Sequence, residues 1–301
     1  MTWITSATFA ALVGGIVVVI EGHLVSKRMP SLKALLFPEA IVQLVLGLSI
    51  IAIHPLSREI GSTSILVAIA SGVARSIAIF LMIRALRSEE VSRVIPVVHT
   101  FPIFVAILAV PLLSETLGYL EWVSIILTVA GAVLISIKYD TGGRGARLRK
   151  SFAMLMGSSL LIGIANTASK YALEYISFWN MCSINAICIS AVFILLSLRP
   201  GTLLELRNMK KRGKALALVT LGGCLALTTN IFSFWAMEQG PVSLVSAILN
   251  IRPSLVFIYA LALSHFFPDV LNEQLSRGTI VIKLVSIGLI IGGVTLLTLV
   301  S

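Results

Sequence analysis

Residues 65–83 read ILVAIASGVARSIAIFLMI, nineteen residues with a single charge, Arg75, near their middle. At 1.5 Å per residue a helix of this length is roughly 28 Å long, close to the hydrocarbon thickness of a bilayer. A helix also satisfies every backbone N–H and C=O internally, which hydrocarbon demands. A charge at mid-bilayer costs roughly 2.5–3.5 kcal/mol on insertion scales, and such groups face an interior or a cavity. The segment therefore reads as a membrane helix whose one arginine has a purpose.

The rest of the chain has the same texture. Of its 301 residues, 57% are hydrophobic and only 12% charged, about half the charged share of a soluble domain. Reading apolar runs between charges and Pro/Gly punctuation gives ten spans: 5–26, 34–53, 62–83, 91–113, 117–137, 151–173, 178–198, 214–237, 241–267 and 279–300. The expected fold is all-α and integral to the membrane. Cys182, Cys188 and Cys224 lie in apolar runs without metal-ligand spacing and read as small buried hydrophobes. No Asn-x-Ser/Thr acceptor occurs, and no Lys or Arg precedes the first apolar run as a cleavable leader would require.

The net charge of +10 is concentrated in links between spans. The first, third, fifth, seventh and ninth links, with adjoining span ends, carry three, three, five, six and two Lys or Arg. The other side has Arg58 and Lys170, and Arg75 and Arg252 lie within spans. The longest basic links are residues 138–150 (KYDTGGRGARLRK) and 199–214 (RPGTLLELRNMKKRGK). Such a bias predicts that these odd-numbered links are cytoplasmic and both termini outside, in a multi-pass protein of the cell (inner or plasma) membrane. Lys170 is expected to snorkel to the interface, and Lys210, Lys211 and Arg212 to meet anionic headgroups.

The two halves resemble each other. Phe9-Ala10-x-Leu12-x-Gly14 recurs as Phe152-Ala153-x-Leu155-x-Gly157, and Ser26-Lys27 meets Ser169-Lys170, both at an offset of 143. In the third and fourth spans the offset is 151: Ala85 matches Ala236, Val91-Ser92 matches Val242-Ser243, and Pro102 matches Pro253. In the fifth and tenth it is 162: Val123-Ser124 matches Val285-Ser286, and Gly131 matches Gly293. The extra residues fall in the ninth link, 267–273. The expected organisation is a five-helix repeat over 1–140, a basic linker over 141–150 and a second repeat over 151–301. Five is odd, so two repeats of one fold must insert upside down relative to each other. Inverted repeats build transporters with a midplane site between the halves.

This pattern resembles the drug/metabolite transporter superfamily, specifically its EamA-domain members. The most recognisable stretch runs from Ala85-Leu86 through Pro96 and Pro102, then Leu112-Leu113-Ser114-Glu115-Thr116-Leu117, then Gly131-Ala132-Val133-Leu134-Ile135. It is similar to the family's fourth span, acidic link and Gly-containing fifth span. The chain departs from the pattern at Phe266-Phe267, where the second half's acidic link residue is expected. It departs again in its charge count, since family members of ten spans usually keep both termini in the cytoplasm. The resemblance implies a central cavity lined by spans one, three, four, six, eight and nine.

Arg75, Arg252, His99, Asn166, Asn230 and Asn250 lie on those spans and are the candidate substrate-binding residues. The arginines suit a carboxylate or phosphate held by bidentate, charge-assisted bonds. Glu21 and His23 in the first span and Glu39 in the second are candidates for ion pairing or proton coupling. The alternative is structural: an Arg75–Glu21 or Arg75–Glu39 pair, Arg252 satisfied by backbone carbonyls, and histidine and asparagines bonding between helices. Pro102 and Pro253 are hinge candidates or simple kinks.

The leading functional reading is a secondary transporter of a small polar metabolite, an amino acid or similar with an anionic group, working by alternating access. A second is a translocase for a phosphate-bearing lipid or sugar phosphate. An enzyme is not expected: the four histidines make no i,i+4 pair, and no HExxH, GxSxG or P-loop motif occurs. No cofactor, metal or nucleic acid is expected. Expected partners are the small-molecule substrate and membrane lipid; a proton or counter-substrate, the direction of flux and the oligomeric state stay open. A reporter fused after Ser301 tests the orientation: it should be active outside the cytoplasm, and a cytoplasmic reading would overturn the charge-count assignment.

Overall fold

The computed structural model describes residues 2–56, 60–87, 91–134, 145–209, 212–266 and 277–300. Among these there are thirteen α-helices and no strand. They are α1 (Trp3–His23), α2 (Leu32–Ile53), α3 (Ser62–Leu86), α4 (Val91–Val98), α5 (Phe101–Leu113), α6 (Tyr119–Leu134), α7 (Gly145–Leu173), α8 (Phe178–Ser197), α9 (Pro200–Arg207), α10 (Arg212–Gln239), α11 (Val242–Leu249), α12 (Arg252–Phe266) and α13 (Arg277–Val300). A π-helical turn, Leu24–Arg28, prolongs α1. Polar side chains start several helices: Thr2, Ser31 and Ser177 accept from Thr5, Ala34 and Asn180 N–H at 3.3, 3.1 and 3.3 Å.

Seven described helical runs are long and apolar enough to cross a membrane, from Trp3–Arg28 to Val242–Tyr259. Three shorter apolar helices, Phe101–Leu113, Tyr119–Gly131 and Val285–Leu299, fall where further spans are expected. Two expected spans differ from a simple rod. Residues 91–113 form α4 and α5, interrupted at His99-Thr100, and the ninth span forms α11 and α12, interrupted at Asn250-Ile251. Proline supplies the reason. Pro102 and Pro253, each second in its helix, have no N–H for the carbonyls of Val98 and Leu249 four residues earlier. The seventh link, expected as a basic loop, contains the short helix α9.

The most extensive packing joins helices of the first half to helices of the second. α2 lies on α8, α6 on α13, α3 on α7, and α1 on α10. α5 packs on α7 and α12 on α1; α11 meets α5 and α12 meets α4. Hydroxyls fasten these contacts to backbone carbonyls: Ser6 to Phe232 O at 2.9 Å, Ser71 to Ala165 O at 2.9 Å, Ser158 to Ala78 O at 2.8 Å and Ser183 to Gly47 O at 2.7 Å. Without a hydrophobic drive between helices in lipid, close packing and such bonds hold the bundle.

The buried apolar side chains form two clusters, one towards each end of the bundle. Along α1, Ala7, Ala10 and Ala11 belong to one and Val18 to the other; along α10, Phe234 and Met237 face Val219 in the same way. Arg75, His99 and Asn166 fall between them along their helices, and Glu21 and Glu39 lie beside the cluster of Val18.

Small residues permit the α6–α13 contact. A Cβ on Gly131 would come within 2.7 Å of Ser286 O, and one on Gly293 within 2.9 Å of Ser124 O. Gly288 and Gly292, on the same helix, have no described atom within 4 Å of such a Cβ. Gly293→Leu is therefore expected to cost about 1–3 kcal/mol by overpacking, and Gly288→Leu close to nothing. Thermal unfolding of the detergent-purified protein measures both, and equal melting of the two variants would contradict this packing.

Candidate functional site

Between the two apolar clusters lies a cavity of about 150 Å³. α1 contributes Gly14 and Glu21, α2 Glu39 and Gln43, α3 Arg75, and α7 Asn166; α10 adds Thr229, Asn230 and Ser233, α12 Arg252, and the break after α4 His99. The apolar lining includes Ile79, Met82, Ile162, Ile189 and Leu249. Seven of the residues singled out in the sequence thus border one space, drawn from both halves of the chain.

Arg75 is held from one side. Its Nη2 donates to Asn166 Oδ1 at 2.8 Å and to Ser169 Oγ at 3.5 Å, and its guanidinium lies 5.2 Å from the centre of the Phe234 ring. Asn166 in turn donates to Ser246 Oγ at 3.3 Å, so one chain of contacts links α3, α7 and α11. Arg252 is placed differently. Its Nε has no acceptor among the described residues, and it lies against α1 so closely that a Cβ on Gly14 would come within 2.6 Å of it. Arg252 and Glu21 act on each other electrostatically, and Arg252 also acts on Arg75 and His99. Glu39 feels Glu21, and its Oε2 has no donor among the described residues.

His99 and Asn250 are buried and meet each other, His99 Nδ1 lying 3.1 Å from Asn250 Oδ1. Asn250 does not border the cavity; it stands behind His99, at the end of α11. His23 is apart from the group. It ends α1 and accepts from Arg28 Nε at 3.0 Å, beside the basic first link. Pro102 and Pro253 are buried in the first turns of α5 and α12.

Sequence reading missed Gln43, Thr229 and Ser233. Their orphan atoms, Gln43 Oε1, Thr229 Oγ1 and Ser233 Oγ, have no partner among the described residues. The available sign was spacing: Glu39 with Gln43 and Thr229 with Ser233 are i,i+4 pairs, each on one helix face. Lys170 corrects an expectation. Instead of snorkelling, its ammonium donates to Met237 O at 2.7 Å and Gly240 O at 3.0 Å, closing the end of α10.

The sequence model of the EamA-like transporter family matches residues 1–137. The first half of the chain is thus similar to that family. The family lies within the drug/metabolite transporter superfamily, and with the apolar helices it marks a multi-pass membrane protein of transporter type. No curated protein matches the chain. Twenty-eight chains of solved structures do. One, titled only "Crystal structure of protein", superposes with a TM-score of 0.69 over 98% of this chain and 97% of its own, at 15% identity, a likeness of fold.

The EamA-like half reaches into the other half through its acidic link. Glu115 follows α5; its Oε1 accepts from Val242 N–H at 2.6 Å, and its Oε2 from Ser243 N–H at 3.3 Å and from the Ser243 hydroxyl. A carboxylate thus caps the start of α11. Burial pushes the Glu115 carboxyl above its ordinary range, against the pull of these N–H groups and of Lys170. The native protein then holds this proton more tightly than the unfolded chain. Its contribution is full below the ordinary carboxylate range and is lost as pH rises through the raised value. Glu115→Ala is expected to cost about 1 kcal/mol, whereas Glu115→Gln should keep most of the stability and remove this pH term. Melting curves of the three proteins across the acidic range decide; a wild type that gains on the Gln variant as pH rises would show the sign to be wrong.

Proposed function

We propose that the chain is a secondary transporter that moves a small polar metabolite bearing an anionic group across the cell membrane by alternating access. The observation that carries this reading is Arg252, a guanidinium bordering a mid-bundle cavity with a donor left unspent. A charge so placed is retained where a ligand completes it. Arg75, fixed by Asn166, supplies the second cationic contact, and Asn230, Thr229 and Ser233 offer neutral hydrogen bonds. Glu21 and Glu39 balance Arg252 while the site is empty. They are better placed than His23 to exchange a proton with the cavity.

Ten spans in two inverted repeats, 1–140 and 151–301 joined by a basic linker, are part of this proposal. Support comes from the packing. Exchange each helix with its counterpart in the other half, α1 with α7, α2 with α8, α3 with α10, α4 with α11, α5 with α12 and α6 with α13. The α1–α10 contact then becomes α7–α3, α5–α7 becomes α12–α1, and α2–α8 and α6–α13 map onto themselves. A polar site shared by two such bundles can be reached from either side by similar packings.

The volume favours a metabolite over a lipid. A cavity of about 150 Å³ is of the order that holds one six-membered ring, far below an acyl chain with its headgroup. The test is counterflow in liposomes against a panel of radiolabelled amino acids, carboxylates and phosphate esters. Arg252→Ala should raise the half-saturating concentration of an anionic substrate by roughly ten-fold or more, since a bond to a charged group contributes about 1.5–3 kcal/mol. Arg252→Lys should recover only part of it, lacking the bidentate fork. Counterflow of every anionic substrate at unchanged half-saturation in the Ala variant would remove the anion site.

A further inference from the structure

The two interrupted spans are built alike and are bonded to each other at their interruptions. In the first, Thr100 N–H bonds Val97 O at 3.2 Å and Ile103 N–H bonds Thr100 O at 3.2 Å. In the second, Ile251 N–H bonds Ile248 O at 3.1 Å and Ser254 N–H bonds Ile251 O at 3.0 Å. Each residue of the second set stands 151 positions after its equivalent in the first, the same offset that relates Pro102 to Pro253. Both breaks are therefore a tightened turn of i→i−3 bonds, followed by proline in the first turn of the next helix.

The residues before these turns, His99 and Asn250, are themselves 151 apart. They are 5% and 0% exposed, and they share the hydrogen bond of 3.1 Å. Two positions related by an exchange of halves can touch only near the axis of that exchange. A hydrogen bond across such an axis needs unlike partners. Histidine with asparagine provides them, the imidazole Nδ1–H donating to the amide oxygen. This tautomer leaves Nε2 as the histidine's free acceptor.

The surrounding contacts show what the bond joins. On one side of the breaks α5 packs against α11; on the other α4 packs against α12. The two broken spans therefore cross, and His99–Asn250 lies at the crossing. Separating α5 from α11 about that point brings α4 towards α12, and the reverse motion opens the other end.

We infer that the His99–Asn250 hydrogen bond is the fulcrum of the conformational change, a positioning pair that couples opening at one end of the bundle to closure at the other. This rests on the alternating-access reading above and assigns the pair a role other than substrate contact. Breaking the bond uncouples the two ends while leaving Arg75 and Arg252 in place.

The experiment needs no substrate. Ala226, which borders the cavity, is changed to cysteine in a full-length background with Cys182→Ala, Cys188→Ala and Cys224→Ala. The protein is reconstituted in liposomes, and a membrane-impermeant maleimide is presented from one side at a time. The parent should be labelled from both sides. His99→Ala and Asn250→Ala, in which movement at one end no longer carries the other, should lose labelling from one side by roughly ten-fold. His99→Phe, which keeps a ring and lacks the N–H, gives the same reading should the smaller side chain unfold the protein. The exchanged double variant His99→Asn/Asn250→His should restore two-sided labelling, which a substrate-contact or merely packing role would not. Two-sided labelling of the parent with unchanged rates in the single variants would overturn the fulcrum. One-sided labelling of the parent would instead sink alternating access itself.

Discussion

A polar atom placed in hydrocarbon must find its partner within the chain, and most of this bundle is organised by that requirement. Ser6, Ser71, Ser158 and Ser183 spend their hydroxyls on carbonyls of neighbouring helices. Lys170 closes the carbonyl end of α10, and Glu115 closes the amide end of α11. Against that background the unspent atoms are informative. Glu39 Oε2, Gln43 Oε1, Arg75 Nε, Thr229 Oγ1, Ser233 Oγ and Arg252 Nε all belong to residues that border one cavity. An unpaired buried polar group costs about 1–3 kcal/mol, so six around one space support the proposed binding site there. His23 Nδ1, Asn180 Oδ1, the Asn185 amide, Ser190 Oγ, Asn250 Nδ2 and Ser254 Oγ are also unpaired among the described residues and lie away from this lining; we have no physical account of Asn185, whose amide is unpaired at both atoms.

The same requirement explains where the helices break. An interrupted span frees carbonyls and amides, which hydrocarbon tolerates only inside protein or along a cavity. Both interruptions lie between the two apolar clusters, at the level of the arginines. There the tightened turns satisfy part of the freed backbone, and His99 Nδ1 meets Asn250 Oδ1, while Asn250 Nδ2 has no partner among the described residues. The polar layer thus both lines the cavity and surrounds the two places where the helices break.

Much of this was legible in the sequence, for a reason that applies to membranes in particular. A charge or amide in an apolar run has no solvated alternative, so Arg75, Arg252, Glu21, Glu39, His99, Asn166 and Asn230 stand out, and all seven border the cavity. Gln43, Thr229 and Ser233 did not stand out. Threonine and serine in a helix commonly bond their own carbonyl four residues back, as Thr220 and Thr228 do, so type alone does not separate the two uses. The position of the breaks was illegible at single-residue level: the prolines mark the helix that begins, while the interruption precedes them. Lys170 was misread, and the capping role of Glu115 was not foreseen, for a shared cause. Their partners are backbone groups of α10 and α11, distant in sequence, and a backbone group leaves no trace in composition. Expected span residues in the ninth link lie outside the described residues.

The likeness of the halves is incomplete where it bears most on energy. At the offset of 151, Glu115 corresponds to Phe266. A carboxylate accepts the N–H groups that begin α11; the phenylalanine at the matching sequence position carries no acceptor. In a carrier built from inverted repeats, equal fastenings would give two states of equal energy, and unequal fastenings make one the resting state. Here the fastened end is that of Glu115, Lys170 and the start of α11, the end to which the first residues of α1 also pack through Trp3 and Gly240. Opening that end would forfeit the α11 cap, about 1 kcal/mol. In the proposed carrier, the state closed at this end keeps the Glu115 cap and is favoured by it.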